Sequence, residues 1–333
     1  RTSHVARRHL DEPSQSPISF HLSISLLFSS LPSSRRSIMN FFSTDKDLFS
    51  LPRIRDILIR LEDTIIFGIL SNLFPPVDAL TCFRGTHADP NPPSPAALIE
   101  RAQFALNSAI YQPNAPQFKD VTDNRSFLEY FLWETEKVHA KVRRYSSPDE
   151  YAFTSPLPAP IISTLDYPSF LYPNDINVNP QILSCYLDHI VGAVAKPGDD
   201  QQYGSATTRD VEVLQALSKR IHYGKFIAEC KFRESPSAYA ELARTKNLEG
   251  IEALLTNKEV EASLLNRLRR KALIYGQSLD DADEDRSAHL RIPVEAVVGL
   301  YEKWVIPLTK FVEVEYLVIR GREWKGEGEK EQW

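Results

Sequence analysis

The 333-residue chain is 42% hydrophobic and 25% charged, the balance of a globular protein with enough chain for a large core and one or two domains. A formal net charge of −5, with acids and bases alternating through most helical segments, excludes a basic nucleic-acid face. Three scattered cysteines with no CxxC exclude a disulfide framework and point to a reducing, cytoplasmic compartment, and the eight histidines show no metal-ligand spacing.

Residues 1–38 are rich in Arg and Ser, with Asp11 and Glu12 the only acids. They read either as a mitochondrial-type transit peptide or as translated leader ahead of Met39, and are expected to lack a stable fold. The apolar run at 20–31 is broken by serines and too short to cross a bilayer. From Leu51 to Phe67, apolar residues at 54, 58, 61 and 65 keep the spacing of one helix face, and Pro52 suits a first helical turn. Residues 68–95 hold six prolines and no sustained period, which predicts loop. Helical character returns at "AALIERAQFAL". Joining Phe67 directly to Ala97 restores the apolar period without a phase error, so 68–96 reads as an insertion inside a helix, of the kind a retained intron would leave. A chain lacking 68–96 is expected to melt higher and to be at least as active.

A helix fits 124–145, with Phe127, Tyr130, Phe131 and Val138 on its inner side, and a proline-rich loop follows over 147–180. Further helices fit 180–195, 208–233, 236–245, 247–254, 257–276 and 293–318. With no βαβ alternation and no hairpin series, the fold class is all-α, a bundle of long helices.

Within 208–233 the segment "SKRIHYGKFIAECKF" carries two cations beside its buried face. At roughly 100° per residue Arg220 and Lys231 point the same way within about 20°. They sit at the edge of the stripe made by Leu214, Leu217, Ile221 and Ala228. A buried unpaired charge is costly, so an anion should meet them, either the protein's own carboxylates or a ligand. Asn257 with Glu261, and Thr309 with Glu313, form i,i+4 pairs on two other helices, and Arg55 lies on the first. Pro307 should kink or re-aim the last helix by removing one of its hydrogen bonds. Plainer readings stand beside each: Arg55 as a solvated residue, Glu313 paired with Lys310, Asn257 as a helix N-cap, and the two cations in internal salt bridges. The acidic run at 280–286 lacks the glycine of a calcium loop and reads as solvated. Periodicity alone describes a helical protein with an anion site.

The stretches "IRDILIRLEDTIIF", "VRRYSSPDE", "YGSATTRDVEVLQALSKRIHYGKFIAECKF" and "IPLTKFVEVEYL" together resemble the all-helical chorismate mutases of fungi. The resemblance runs from about Met39 to Leu317 outside 68–96, which leaves 318–333 as a divergent tail. It implies an isomerase that rearranges chorismate to prephenate in phenylalanine and tyrosine biosynthesis, a homodimer, and neither cofactor nor metal. The rearrangement is unimolecular: the protein must hold a dianion in its compact conformer and stabilise charge on the breaking ether oxygen. By position in the family motif, Arg55 and Arg220 are the carboxylate forks and Thr309 assists one carboxylate. Lys231 and a protonated Glu313 donate to the ether oxygen, and Asn257 and Glu261 lie near the substrate hydroxyl.

The resemblance further implies inhibition by tyrosine and activation by tryptophan at a site between subunits. The matching residues are Arg143 and Arg144 at one helix end, and Gln202, Gly204, Ser205 and Thr208 at the start of another. Gln202 stands where the family usually has Asn, and "RIPVE" at 291–295 replaces a Thr-Pro order. The competing reading is a catalytically dead helical effector-binding or interaction protein, its first helix interrupted. Neither reading calls for nucleic acid or membrane.

Overall fold

A computed structural model describes residues 50–67, 101–163, 171–275 and 293–326, all within one compact unit, Thr44–Trp333. The leader, the 68–96 insertion and the acidic run at 280–286 lie outside the described residues. Among the described residues there is no strand, only an isolated bridge between Ala105 and Lys196. No helix among them is long and apolar enough to cross a membrane.

The first helix, α1 (Leu51–Glu62), starts with Pro52 in its first turn and widens into a π-helical turn, Asp63–Phe67. Its apolar period buries Ile54, Leu58 and Ile65. α2 (Phe127–Lys141) opens on a capping box: Ser126 Oγ accepts from the Glu129 N–H, and the Glu129 carboxylate accepts from the Ser126 N–H. Next come α3 (Asn179–Cys185), a π turn (Tyr186–Ile190) and the short α4 (Val191–Val194). The segment expected as one helix over 208–233 starts earlier and divides into α5 (Tyr203–His222) and α6 (Gly224–Glu234) at Tyr223. At the join, His222 Nδ1 lies 2.8 Å from the Ser218 carbonyl. α7 (Pro236–Arg244), α8 (Leu248–Leu255) and α9 (Lys258–Tyr275) follow close to their expected bounds.

The last expected helix is two: α10 (Val294–Leu300) and α11 (Ile306–Glu323), joined by a π turn, Tyr301–Val305. Pro307 supplies the reason, since it cannot donate to the carbonyl one turn back and its ring crowds that carbonyl. α11 continues past Leu317 to Glu323, and Val318, Arg320 and Gly321 of the expected divergent tail are buried. It packs along α7 and α6, while α1 packs on α5 and α6 and α9 packs on α10.

Two expectations fail for one physical reason, polar groups drawn into the core by distant partners. The inner face of α2 is Leu128, Leu132, Glu136 and Ala140, whereas Val138 is 61% exposed. Buried Glu136 accepts from the backbone N–H groups of Phe153 and Thr154, both at 2.8 Å, and so turns a polar position inward. Likewise, of "AALIERAQFAL", whose first five residues lie outside the described ones, the described part leaves the helical path after Arg101. The Arg101 guanidinium is fully buried and donates to Asp210, to Tyr111 Oη and to the carbonyls of Phe104, Ala105 and Leu106. Tyr111 and Tyr186 complete the hydrogen bonding of Asp210. A buried pair so fully bonded offsets its desolvation and ties the non-helical stretch 104–107 and the 3-10 turn Ser108–Tyr111 to α5.

Candidate active site

Four helices, α5, α6, α9 and α11, bring one set of charges together. The apolar stripe of α5 and α6 is buried as its spacing predicts: Leu214, Leu217, Ile221 and Ala228 are each 2% exposed or less. At its edge Arg220 is 4% exposed, and its Nε and Nη1 have no hydrogen-bond partner among the described residues. An uncompensated cation at that depth costs several kcal/mol or more, so the position suits an anion.

Glu313 on α11 is 8% exposed. Burial pushes its carboxyl up to about 8, against the opposing pull of Arg220, Lys310 and Lys231, while the Glu261 charge adds to the rise. Arg220, Lys231, Glu261 and Glu313 therefore share one neighbourhood. Thr309 joins them across the helix contact: a Cβ placed on Gly224 would lie 3.0 Å from the Thr309 carbonyl and 3.2 Å from Glu313 Cγ.

The hydrogen bonds these groups make among themselves are ones that exchange cheaply. Lys231 Nζ pairs with Glu234 at 3.0 Å, and Lys310 Nζ with Glu261 at 2.8 Å, both partly exposed. Pairs of that kind contribute about 1 kcal/mol or less. Lys310 thus binds Glu261 rather than Glu313, which leaves the Glu313 acid without a salt bridge among the described residues. The Thr309 hydroxyl donates to the Val305 carbonyl at 2.6 Å and must release that bond to donate elsewhere.

Two of the seven expected residues are less drawn in. Asn257 is an N-cap, its Oδ1 accepting from the Glu259 and Val260 N–H groups at 3.1 Å, which leaves its amide donors for other use. Arg55 is exposed on α1, the helix that packs on α5 and α6, and makes no hydrogen bond or ion pair among the described residues.

Five further residues border the set and were not picked from sequence. Tyr301 is fully buried in the π turn, its hydroxyl without a partner among the described residues, and Arg220, Glu62 and Arg267 all act on it. Glu62 accepts from Arg267 through both oxygens, at 2.9 to 3.2 Å, tying the end of α1 to α9. Lys271 pairs with Asp63 beside it. A weak signal for Glu62 existed: seven residues after Arg55, it falls on the same helix face within about 20°.

The effector residues fall in two places. Arg143 sits at φ 60° beyond the end of α2 and donates to the Ser163 carbonyl. Arg144 donates to Glu150 and to Gln215 on α5, and lies 3.1 Å from His139. Gln202 precedes α5 with no side-chain cap, Gly204 and Ser205 are exposed in its first turn, and the Thr208 hydroxyl donates to the Gly204 carbonyl. Among the described residues neither arginine bonds to this turn: Arg143 donates to Ser163, and Gln215, which Arg144 reaches, lies seven residues beyond Thr208, roughly 10 Å along the helix. Among the described residues no group of His, Cys, Asp and Glu could hold a metal ion.

Such a set, two or three cations facing a neutral acid across a helical bundle, suits a small dianion that must accept a hydrogen bond as it reacts. Comparison with known proteins gives the same direction. The family described as chorismate mutase type II matches residues 202–314, which hold Arg220, Lys231, Glu261, Thr309 and Glu313. The chorismate mutase of Schizosaccharomyces pombe is 40% identical over 272 residues, covering 81% of this chain and 96% of that one. The crystal structure of Aro7p chorismate mutase from Candida albicans, a complex with L-Trp, is similar with a TM-score of 0.68 at 36% identity, over 82% of this chain and 92% of that one. AtCM1 with tyrosine bound in its allosteric site is similar with a TM-score of 0.66 at 36% identity, over 83% and 98%.

Proposed function

The chain belongs to the chorismate mutase family, and from that premise we propose how its own residues convert chorismate to prephenate. The observation that carries the reading is the buried Arg220 guanidinium, with two nitrogens that have no partner among the described residues, next to a carboxyl that burial pushes up to about 8.

Arg220 takes one substrate carboxylate and Arg55 the other, each through a two-pronged guanidinium, with Thr309 assisting. Lys231 leaves Glu234 and donates to the ether oxygen. Glu313, still protonated, donates to the same atom. Charge grows on that oxygen as the C–O bond lengthens, so both donors bind the transition state more strongly than the substrate. Asn257, through its amide N–H groups, and Glu261 orient the substrate hydroxyl. No proton leaves the enzyme, and the new C–C bond forms within the held conformer. Purified protein mixed with chorismate should consume its ultraviolet absorbance and yield prephenate. No acceleration over buffer would remove the reading, and would favour the dead, effector-binding alternative.

Regulation and assembly belong to the same proposal. The uncapped first turn of α5, with Gly204, Ser205 and Thr208 and Gln202 ahead of it, suits an amino-acid carboxylate. Arg143 and Arg144 would come from a second copy, since they do not reach that turn within one chain. Val138, Val142, Ile161 and Ile162 are exposed beside Arg143, and the Ile161 N–H donates to the Lys141 carbonyl, so they share one apolar surface. A homodimer would cover it. Tyrosine would inhibit and tryptophan activate, in the cytosol. Arg143→Ala or Thr208→Ala should weaken tyrosine inhibition severalfold with little change in unregulated turnover. Titrating tyrosine into the chorismate assay checks this, and unaltered sensitivity in both variants would refute the effector site.

A further inference from the structure

Gly224 lies four residues after Arg220 and seven before Lys231, so all three share one face of the α5–α6 rod within about 40°. Glycine is a poorer helix former than alanine, so its presence at the start of α6 asks for a reason. Backbone conformation is not that reason: Gly198 and Gly326 adopt positive φ among the described residues, and Gly224 does not. Close approach is. A Cβ at Gly224 would stand 3.0 Å from the Thr309 carbonyl oxygen, 3.2 Å from Thr309 Cγ2 and 3.2 Å from Glu313 Cγ. All three atoms belong to the two α11 residues proposed to touch substrate. The two side-chain atoms can rotate away. The carbonyl belongs to the α11 backbone, so relief there requires α6 and α11 to part by a few tenths of an ångström.

We infer that Gly224 is a positioning residue: its missing side chain sets the gap across which Arg220 and Lys231 face Thr309 and Glu313. The inference rests on the catalytic reading above and adds what fixes its geometry. Widening the gap separates Lys231, the ether-oxygen donor on α6, from Glu313, the donor on α11. The loss falls more on the transition state, where both donors must converge on the ether oxygen, than on the bound ground state, which the two carboxylate forks hold from α1 and α5. Turnover should therefore fall more than affinity.

Gly321 supplies the control. It makes an equally close approach, 2.7 Å from Ala243 Cβ and 3.0 Å from the Tyr239 carbonyl, but between α11 and α7 and away from the charged set. The test compares wild type, Gly224→Ala and Gly321→Ala for kcat and KM on chorismate, prephenate affinity by calorimetry, and thermal melting. Gly224→Ala should remain folded, lose about tenfold or more in kcat, and hold prephenate within about threefold. Adding Thr309→Ser, which removes Cγ2 and keeps the hydroxyl, should recover part of the lost kcat. Gly321→Ala should melt lower yet keep wild-type kcat per folded molecule. The inference is overturned by a Gly224→Ala protein that does not fold, by one with kcat within twofold of wild type, or by a Gly321→Ala protein that loses kcat to the same degree. A wild type inactive on chorismate would instead overturn the catalytic reading.

Discussion

Arg220→Ala is expected to lower chorismate turnover by about a hundredfold or more while leaving the helical circular dichroism near that of wild type. The magnitude follows from removing a charge-assisted donor pair from a water-poor site, on the order of 3 kcal/mol of transition-state binding. Structure should survive because Arg220 contributes little to the fold's own bonding: its Nε and Nη1 have no partner among the described residues. Its loss also removes a cation that holds the Glu313 carboxyl down, so that acid should titrate still higher in the variant. Arg220→Lys should recover little, because an ammonium is a point charge and cannot make the two parallel bonds of a fork. Steady-state assays on the three proteins, with circular dichroism as the check on folding, decide it. An alanine variant within about threefold of wild type would show that the guanidinium binds no carboxylate.

How much of this was legible in the sequence differs between local and distant interactions. The cations of α5 and α6 were readable because a helix repeats its faces at short range, and Leu214, Leu217 and Ile221 announced which face was buried. Pro307 announced a break in the last helix, although not that the break would take the form of a π turn holding Tyr301 inside the core. The N-cap role of Asn257 was equally local. What periodicity missed was set by partners far along the chain. Glu136 turns inward because of Phe153 and Thr154, Glu62 because of Arg267, and Arg101 because of Asp210, 109 residues away. A carboxylate looks solvated in a sequence until its cation is known. The opposite error threatened Glu313, which reads as an i,i+3 partner of Lys310 until Glu261, from α9, takes that lysine. The 3.0 Å approach at Gly224 has no local signature beyond a glycine within a segment that reads as one helix.

Raising the pH should slow wild-type turnover through the titration of Glu313, and Glu313→Gln should remove that dependence. Burial is the largest influence on this carboxyl, outweighing the Arg220, Lys310 and Lys231 charges, and pushes it up to about 8. Below that pH the acid is neutral and can donate to the ether oxygen; above it a carboxylate faces the same oxygen and repels the growing charge. Turnover should therefore fall about tenfold per pH unit on the alkaline side. Lys225 complicates the midpoint. On α6, the helix packed against α11, its ammonium is buried against Tyr151 and the Ile176 carbonyl and pushed down to about 7, a neighbouring window. The variant assigns the limb where the midpoint alone does not, since an amide donates at any pH and leaves Lys225 untouched. Stability supplies an independent sign. The folded carboxyl sits above the ordinary glutamate range, so its contribution is fully present below that range and is lost progressively as pH rises from there through about 8. Relative to wild type, the Gln variant should gain in melting temperature across that interval and hold the gain above it. A Gln variant whose rate profile and relative melting both track wild type from pH 6 to 10 would show that the proton on Glu313 is not required.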